Sequence, residues 1–280
     1  MLEFKISQIS EKGKQREVNQ DCKFVNEYGN LIIIADGVGD CEDGKLASQL
    51  AVESVKSTVL PVAENVQRCG KIDEDDIYKA LFEAVNKANE ELRNNKKYLA
   101  TTIDIVLIDP VNKRGYVAHL GDSSVYLFNE TDGLAKLTED DSKKKNGSGV
   151  VVPEGMTKLF ARGLKLEKYL GMKSEEGEKI VPSYHPFDIK LGDVILAATD
   201  GLTDLVSADE ISSILVHFDE EGYDVTKELA NRANDPKDIL GLYAQEKGVS
   251  EDRAKADISG KDNITVIAVK AYNKNYSRRE

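Results

Sequence analysis

The chain is poor in histidine and cysteine and has no surplus of positive charge, and each shortage closes a class of function. Cys22, Cys41 and Cys69 make no C-x-x-C pair and no spaced framework, so reduced thiols in a cytosol are expected, not a disulfide scaffold. The three histidines lie at neither helical nor short-loop spacing from one another, which disfavours zinc. No apolar run reaches the length of a membrane span, and the opening M-L-E-F-K-I-S lacks a signal-peptide core. A net charge of −12 and a pI near 4.9 argue against a nucleic-acid binder, which needs a basic face. What remains is an ordinary soluble globular composition, 40% hydrophobic and 31% charged over 280 residues. With no linker and no internal repeat, a single domain over residues 1–272 is expected, followed by a polar tail at 273–280.

The organising stretch is N-L-I-I-I-A-D-G-V-G-D-C-E-D-G, residues 30–44. Leu31 to Ala35 is a short run rich in β-branched residues, which fits a strand buried on both faces. It delivers Asp36 onto Gly37 in a glycine-rich loop. Such a placement fixes a carboxylate while leaving the backbone open to a ligand. Taken alone, the stretch reads better as a hairpin, since Asp-Gly is a strong turn signal. The construction recurs: V-I-L-A-A-T runs into Asp200-Gly201, Asp122 follows Gly121 after a strand, and Asp262 opens a final β-run, G-K-D-N-I-T-V-I-A-V-K.

Between these points the spacing predicts strands around Phe4 to Ile9, at 22–26, 101–108, 115–120 and 124–128, and an extended pattern over 189–199. Helices are predicted over 44–62, 74–93, 209–217, 224–233 and 239–247. The acids of Asp73 to Asp76 fall where they favour a helix N-terminus, and so read as a cap and not as a metal site. Residues 138–179, with a K-K-K-N-G-S-G run, read as a surface segment beside the site, and 252–260 as merely polar.

Blocks of strands and helices in this order favour antiparallel sheets flanked by helices, an α+β sandwich. In that architecture Asp21, Asp36, Asp200 and Asp262 converge at one rim. Carboxylates so close repel unless a cation neutralises them. An all-oxygen set selects Mg²⁺ or Mn²⁺, and two such ions activate a water and clamp a phosphoryl group. Arg16 fits as the bidentate partner of phosphate oxygens.

R-x-x-N-Q-D, D-G-V-G-D followed by G-K-L-A-S, then T-T, G-D-S, L-T-x-D, A-T-D-G-L-T-D and D-N-I-T-V resemble, in order, the metal-dependent PP2C family of protein phosphatases, the bacterial type above all. The resemblance spans residues 6–269. It implies a four-layer αββα sandwich with a metal site at one end. It also implies hydrolysis of phosphoserine and phosphothreonine by direct attack of a water bridged between two Mn²⁺ or Mg²⁺ ions. Carried over residue by residue, Asp36 bridges both ions and Gly37 lends its carbonyl. Asp200 and Asp262 hold one ion, Asp21 binds through a water, Arg16 grips the phosphate, and Asp122 holds a weaker third ion. Residues 138–179 become the flap. The implied partners are phosphorylated proteins and a cognate Ser/Thr kinase, with a monomer in the cytoplasm as the expected form and neither nucleic acid nor membrane involved.

The chain departs from the pattern at Val38 and Cys41, where many members carry His, at Ser124 in place of the Arg of G-D-S-R, and at Asp141 in place of the His of L-T-x-D-H-S. Lys168 and Tyr169 replace residues of the R-A-L-G flap motif. None of these removes a primary metal acid. Two alternatives follow: a catalytically weak or inactive relative serving as a phosphoprotein-binding regulator, and a hydrolase of small phosphorylated metabolites. Asp40, Asp43 and Asp104 match no family role and are expected at the surface or in local hydrogen bonds, and His119 is expected to be structural.

Overall fold

The structure, a computed structural model, describes residues 1–39, 41–70, 72–142, 166–172 and 178–273. Their strands form two antiparallel sheets. One runs in space β1 (Glu3–Glu11), β11 (Ile264–Tyr272), β10 (Val194–Ala198), β7 (Ser124–Asn129), β8 (Gly133–Lys136). The other runs β2 (Asp21–Val25), β3 (Leu31–Val38), β5 (Ile103–Asp109), β6 (Arg114–Leu120), β9 (Ser183–Asp188), with the short β4 (Ala100–Thr101) added beside the end of β3.

The period-two alternation of β-structure explains the layers. Leu31, Ile33 and Ala35 of β3 pack with α1 (Cys41–Cys69) and α2 (Glu74–Arg93), while Ile32 and Ile34 point into the core between the sheets. In the other sheet Val194, Leu196, Val266 and Ala268 face the opposite helical layer, and Ile195, Ala197, Ile267 and Val269 meet β3 from across the sandwich. That layer comprises α3 (Asp200–Thr203), α4 (Ala208–Leu215), α5 (Val225–Asn234), α6 (Leu240–Lys247) and α7 (Glu251–Ile258). Strands with helices on one side and a second sheet on the other are buried on both faces, and so read as unbroken apolar runs. Each fully buried Ile or Leu contributes about 1.5–3 kcal/mol, so a charge anywhere in Leu31 to Ile34 would unfold this seam.

Helix α2 has the predicted bounds. The side chain of Asp73 accepts from the Asp75 amide, and Glu74, Asp75 and Asp76 occupy the first turn, so the acidic cluster is the cap it resembles. Helix α1 outruns its expectation of 44–62, starting at Cys41 and passing Pro61 to end at Cys69. Its buried stripe of Val55, Val59, Ala63 and Val66 continues unbroken, and Pro61 is exposed on the solvent side. Packing overrides the local breaker. Residues 251–258, overlapping the stretch 252–260 read as merely polar, form α7, capped by the Ser250 side chain accepting from the Arg253 amide.

Of the flap segment, 143–165 and 173–177 lie outside the described residues, as does the tail from 274. The segment is rooted where it matters. Leu170 and Thr101 exchange backbone hydrogen bonds at 2.9 and 3.2 Å, which places this root against β4 and the end of β3. Among the described residues no helix is long and apolar enough to cross a membrane.

Candidate active site

The sequence-predicted acids assemble from both sheets at one rim. Asp21 opens β2, and the antiparallel register pairs it directly with Asp36 of β3. The backbone of Asp36 is pinned by β4 and its neighbour: the Thr102 amide donates to Asp36 O at 2.9 Å, Thr101 Oγ1 donates to the same carbonyl at 2.7 Å, and the Asp36 amide donates to Thr102 Oγ1 at 2.9 Å. The hairpin reading of Asp36-Gly37 is overturned, because β3 continues past it. Gly37 pairs with Thr101 and Val38 with Ala100 before α1 begins. A Cβ on Gly37 would lie 2.1 Å from Gly44 O and 2.8 Å from Gln20 O, so only glycine lets this strand pass beneath the first turn of α1.

The second copy of the motif is built alike. Asp200 is the first residue of α3 rather than a turn former, and a Cβ on Gly201 would lie 1.8 Å from Asn263 O. Thr199 Oγ1 donates to Asp21 Oδ2 at 2.9 Å while accepting from the Thr265 amide at 3.0 Å, which ties the sheets together at the acids. Asp262 precedes β11. Its Oδ2 accepts from Arg16 Nη2 at 2.6 Å, and its Oδ1 accepts from the Asn263 amide at 2.8 Å. Arg16 therefore stands among the acids, and the charges of Asp36 and Asp200 add to the field that Asp262 imposes on it.

Residues without an assigned role hold this arrangement. Asn263, 3% exposed, accepts from the Gln20 amide at 2.9 Å and donates from Nδ2 to the carbonyls of Lys12 and Val18, both at 3.0 Å. It staples the loop bearing Arg16 to the strand that follows Asp262. Thr199 and Thr102 do the same for Asp21 and Asp36. In the sequence these read as ordinary β-strand threonines, marked only by the T-T and A-T-D-G motifs that contain them.

Asp122 sits after Gly121 on the β6–β7 connection, farther out, and its charge is the least of those felt by Asp36. Asp141, in the place of a family histidine, clamps that turn: its amide donates to Gly121 O at 2.7 Å, its Oδ2 accepts from the Gly121 amide at 3.2 Å, and Oδ1 pairs with Lys168 at 3.2 Å. Ser124 is buried on β7 opposite Ala198. His119 is structural, as expected, with Nδ1 2.6 Å from Asp104 Oδ1 and Nε2 3.0 Å from Glu139 O. Asp104 is buried, in the local hydrogen bond that was one of its two expected places. Asp43 pairs with Lys97 at the surface, and Asp40 lies outside the described residues.

Electrostatics decide what the rim accepts. Burial, then the charges of Asp200 and Asp262, raise Asp21 to about 7 against the pull of the Thr265 and Thr199 hydroxyls. Burial, followed by Asp21, Asp200, Asp262 and Asp122, pushes Asp36 well above the ordinary carboxylate range, although its side chain keeps a partial opening to solvent. Asp21 Oδ1 is buried with no hydrogen-bond partner among the described residues. Among those residues no three His, Cys, Asp or Glu side chains form a ready-made cage, and Arg16 neutralises only part of the cluster. An orphaned buried oxygen, carboxyls forced toward protonation and an oxygen-only donor set fit hard divalent cations.

Comparison with known proteins agrees. The sequence model of the family described as protein phosphatase 2C matches residues 11–231. Protein phosphatase PhpP of Streptococcus pneumoniae (strain D39) is 29% identical over 260 residues, covering 89% of this chain and 99% of its own. Among solved structures, the phosphatase MsPP from Mycobacterium smegmatis in complex with cacodylate superposes with a TM-score of 0.67 at 22% identity, covering 95% of this chain and 97% of that one. The catalytic domain of PstP in complex with two manganese ions superposes with a TM-score of 0.64 at 21% identity, over 98% of this chain and all of that one. The sheets and the flanking helices are thus those of a known architecture. The chain belongs to the protein phosphatase 2C family.

Proposed function

We propose that the protein is a protein-serine/threonine phosphatase that hydrolyses phosphomonoesters with the aid of two Mn²⁺ or Mg²⁺ ions. The observation carrying this reading is the convergence of Asp21, Asp36, Asp200 and Asp262, drawn from two sheets, into a cluster whose own repulsion calls for divalent charge. Asp36, Asp200, Asp262 and the Gly37 carbonyl would hold the ions, Asp21 would act through a water, and Asp122 would serve a weaker third ion. Bound there, the ions supply a water of lowered pKa, the nucleophile for direct attack, and neutralise phosphoryl oxygens. Arg16 hydrogen-bonds the phosphate through guanidinium N–H groups that its single bond to Asp262 leaves over. No imidazole is at hand for the leaving group: His119 is bound to Asp104, His217 pairs with Glu220, and His185 lies on β9. With Val38 exposed directly after Gly37, the serine or threonine alkoxide takes its proton from water. PhpP of S. pneumoniae and the M. tuberculosis "Serine/threonine protein phosphatase PstP" support phosphorylated proteins as the substrate class; a place opposite a Ser/Thr kinase in the cytoplasm belongs to the proposal alone.

The test is turnover of p-nitrophenyl phosphate and of a phosphothreonine peptide with Mn²⁺, with Mg²⁺ and with EDTA, by the wild type and Asp36→Asn. Metal-dependent turnover reduced about 100-fold or more in the variant is expected. Folded protein inert under every metal would instead identify a phosphoprotein-binding relative.

A further inference from the structure

Away from the acid rim, the loop that carries Arg16 forms one wall of a second feature. A groove of about 760 Å³ runs between Lys12, Gly13 and Lys14 on that loop and the C-terminal end of α5 with the residues after it, through Asp235 and Lys237. Its acids are engaged. Glu228 pairs with Arg232, Asp235 pairs with Lys255 from outside the groove, and Glu11 accepts from Asn234 Nδ2. Its lysines are not. Among the described residues no acid lies within ion-pair reach of Lys12, Lys14 or Lys237, and the Lys14 ammonium donates only to the Asn234 carbonyl at 2.7 Å. Their field reaches Asp235, whose carboxyl is held below its ordinary value by the Lys255 hydrogen bond first and by Lys237 and Lys14 after it. In a chain of net charge −12, a concave surface where Lys12, Lys14, Arg232 and Lys237 outnumber Glu11, Glu228 and Asp235 is unlike its surroundings.

The wall is fixed to the rim. The amides of Lys14 and Gln15 both donate to Gly260 O, at 2.9 and 3.0 Å, and Arg16 follows to reach Asp262. A chain whose phosphorylated residue rests at Arg16 has this groove along one side.

We infer that the groove is a specificity subsite for an acidic stretch of the phosphoprotein substrate, read by Lys12, Lys14 and Lys237 at a distance from the scissile phosphate. This deepens the phosphatase reading and rests on it. The lysines act as point charges on flexible stems, suited to carboxylates of loosely defined position and not to planar bidentate recognition. Exposed pairs are individually weak, but several acting together give roughly a tenfold preference. That preference fades with salt, because the screening length is about 10 Å at 0.1 M.

The test separates binding from turnover. Fluorescence anisotropy measures binding of an unphosphorylated Glu-rich peptide to the wild type and to the double variant Lys12→Glu with Lys237→Glu, at low and raised salt. Both lysines are exposed, so folding is unaffected. In parallel, kcat/KM is measured for phosphothreonine peptides with acidic or neutral flanks. Salt-sensitive binding weakened about tenfold in the variant, with the acidic-over-neutral ratio of kcat/KM falling toward unity, is the expected result. Peptide binding that is absent, or equal in both proteins, overturns the subsite whatever the turnover. Binding lost in the variant, from a protein that turns over no phosphopeptide, leaves the groove standing and refutes the phosphatase reading instead.

Discussion

Replacing Asn263 by alanine removes a side chain that touches neither ion nor substrate, yet it is expected to cost both stability and substrate affinity. Three hydrogen bonds vanish at once, to the Gln20 amide and to the carbonyls of Lys12 and Val18. Gln20 is 4% exposed, so its amide finds no water and carries the full penalty of an unmet donor, about 1–3 kcal/mol. The Lys12 and Val18 carbonyls lie nearer solvent and recover part of theirs, which brings the loss to about 2–4 kcal/mol. For a chain of this size that lowers Tm by roughly 4–7 °C, readable by differential scanning calorimetry with and without Mn²⁺. The loop freed by the change carries Arg16, so KM for a phosphopeptide should rise more than kcat falls. Asn263→Asp should fare worse than alanine: it keeps the shape but turns an oxygen toward two carbonyls and adds a charge beside Asp262. A Tm within 1 °C of wild type, measured beside calorimetric standards of about that precision, or an aspartate variant more stable than the alanine one, would refute the staple.

Two further outcomes follow from titrations. In the metal-free protein Asp21 titrates at about 7 instead of 3.8, so the folded state binds its proton more tightly than the unfolded chain. Its stability is intact below pH 4 and is lost as pH rises toward 7, by about 4 kcal/mol at most. The Tm gap between Mn²⁺-loaded and EDTA-treated protein should therefore widen from pH 5 to pH 8, and a gap independent of pH would contradict it. Burial disfavours the His119 imidazolium, but the charge and hydrogen bond of Asp104, helped by Asp141 and Asp140, hold its pKa above the ordinary value. This pair stabilises fully below about pH 6.5 and loses its effect as pH climbs through the raised value. Asp104→Ala, which strands a buried ring, should cost about 3–5 kcal/mol at pH 6, checked by urea unfolding.

Much of this was legible in the sequence, and what was hidden has identifiable causes. Strands β3 and β10 announced themselves because both their faces are buried, and α2 because its stripe and acidic cap coincide. Strand β9 hid behind Pro186, which reads as a breaker. It sits at the sheet edge, pairing only with β6, where a missing amide does no harm. Strand β8, G-L-A-K, exposes half its residues, and α7 buries only Ala254 and Ile258, too few to show a period. At the site, the carboxylates were visible because the D-G and D-N motifs repeat. The roles of Asn263, Thr199 and Thr102 were not, although each lies in one of the motifs, because a polar side chain inside a β-run gives no sign of whether it meets water or a buried backbone amide.

The place of β11 carries a consequence for the life of the chain. It lies between β1 and β10 in its sheet, although it follows every other described strand in the chain. Until it inserts, β1 has no partner along that edge and the rim lacks both Asp262 and the Asn263 that secures the Arg16 loop. A nascent or C-terminally truncated chain can present Asp21, Asp36 and Asp200 but not a finished centre. Synthesis itself thus acts as a timer, and the rim is complete only once β11 has been made.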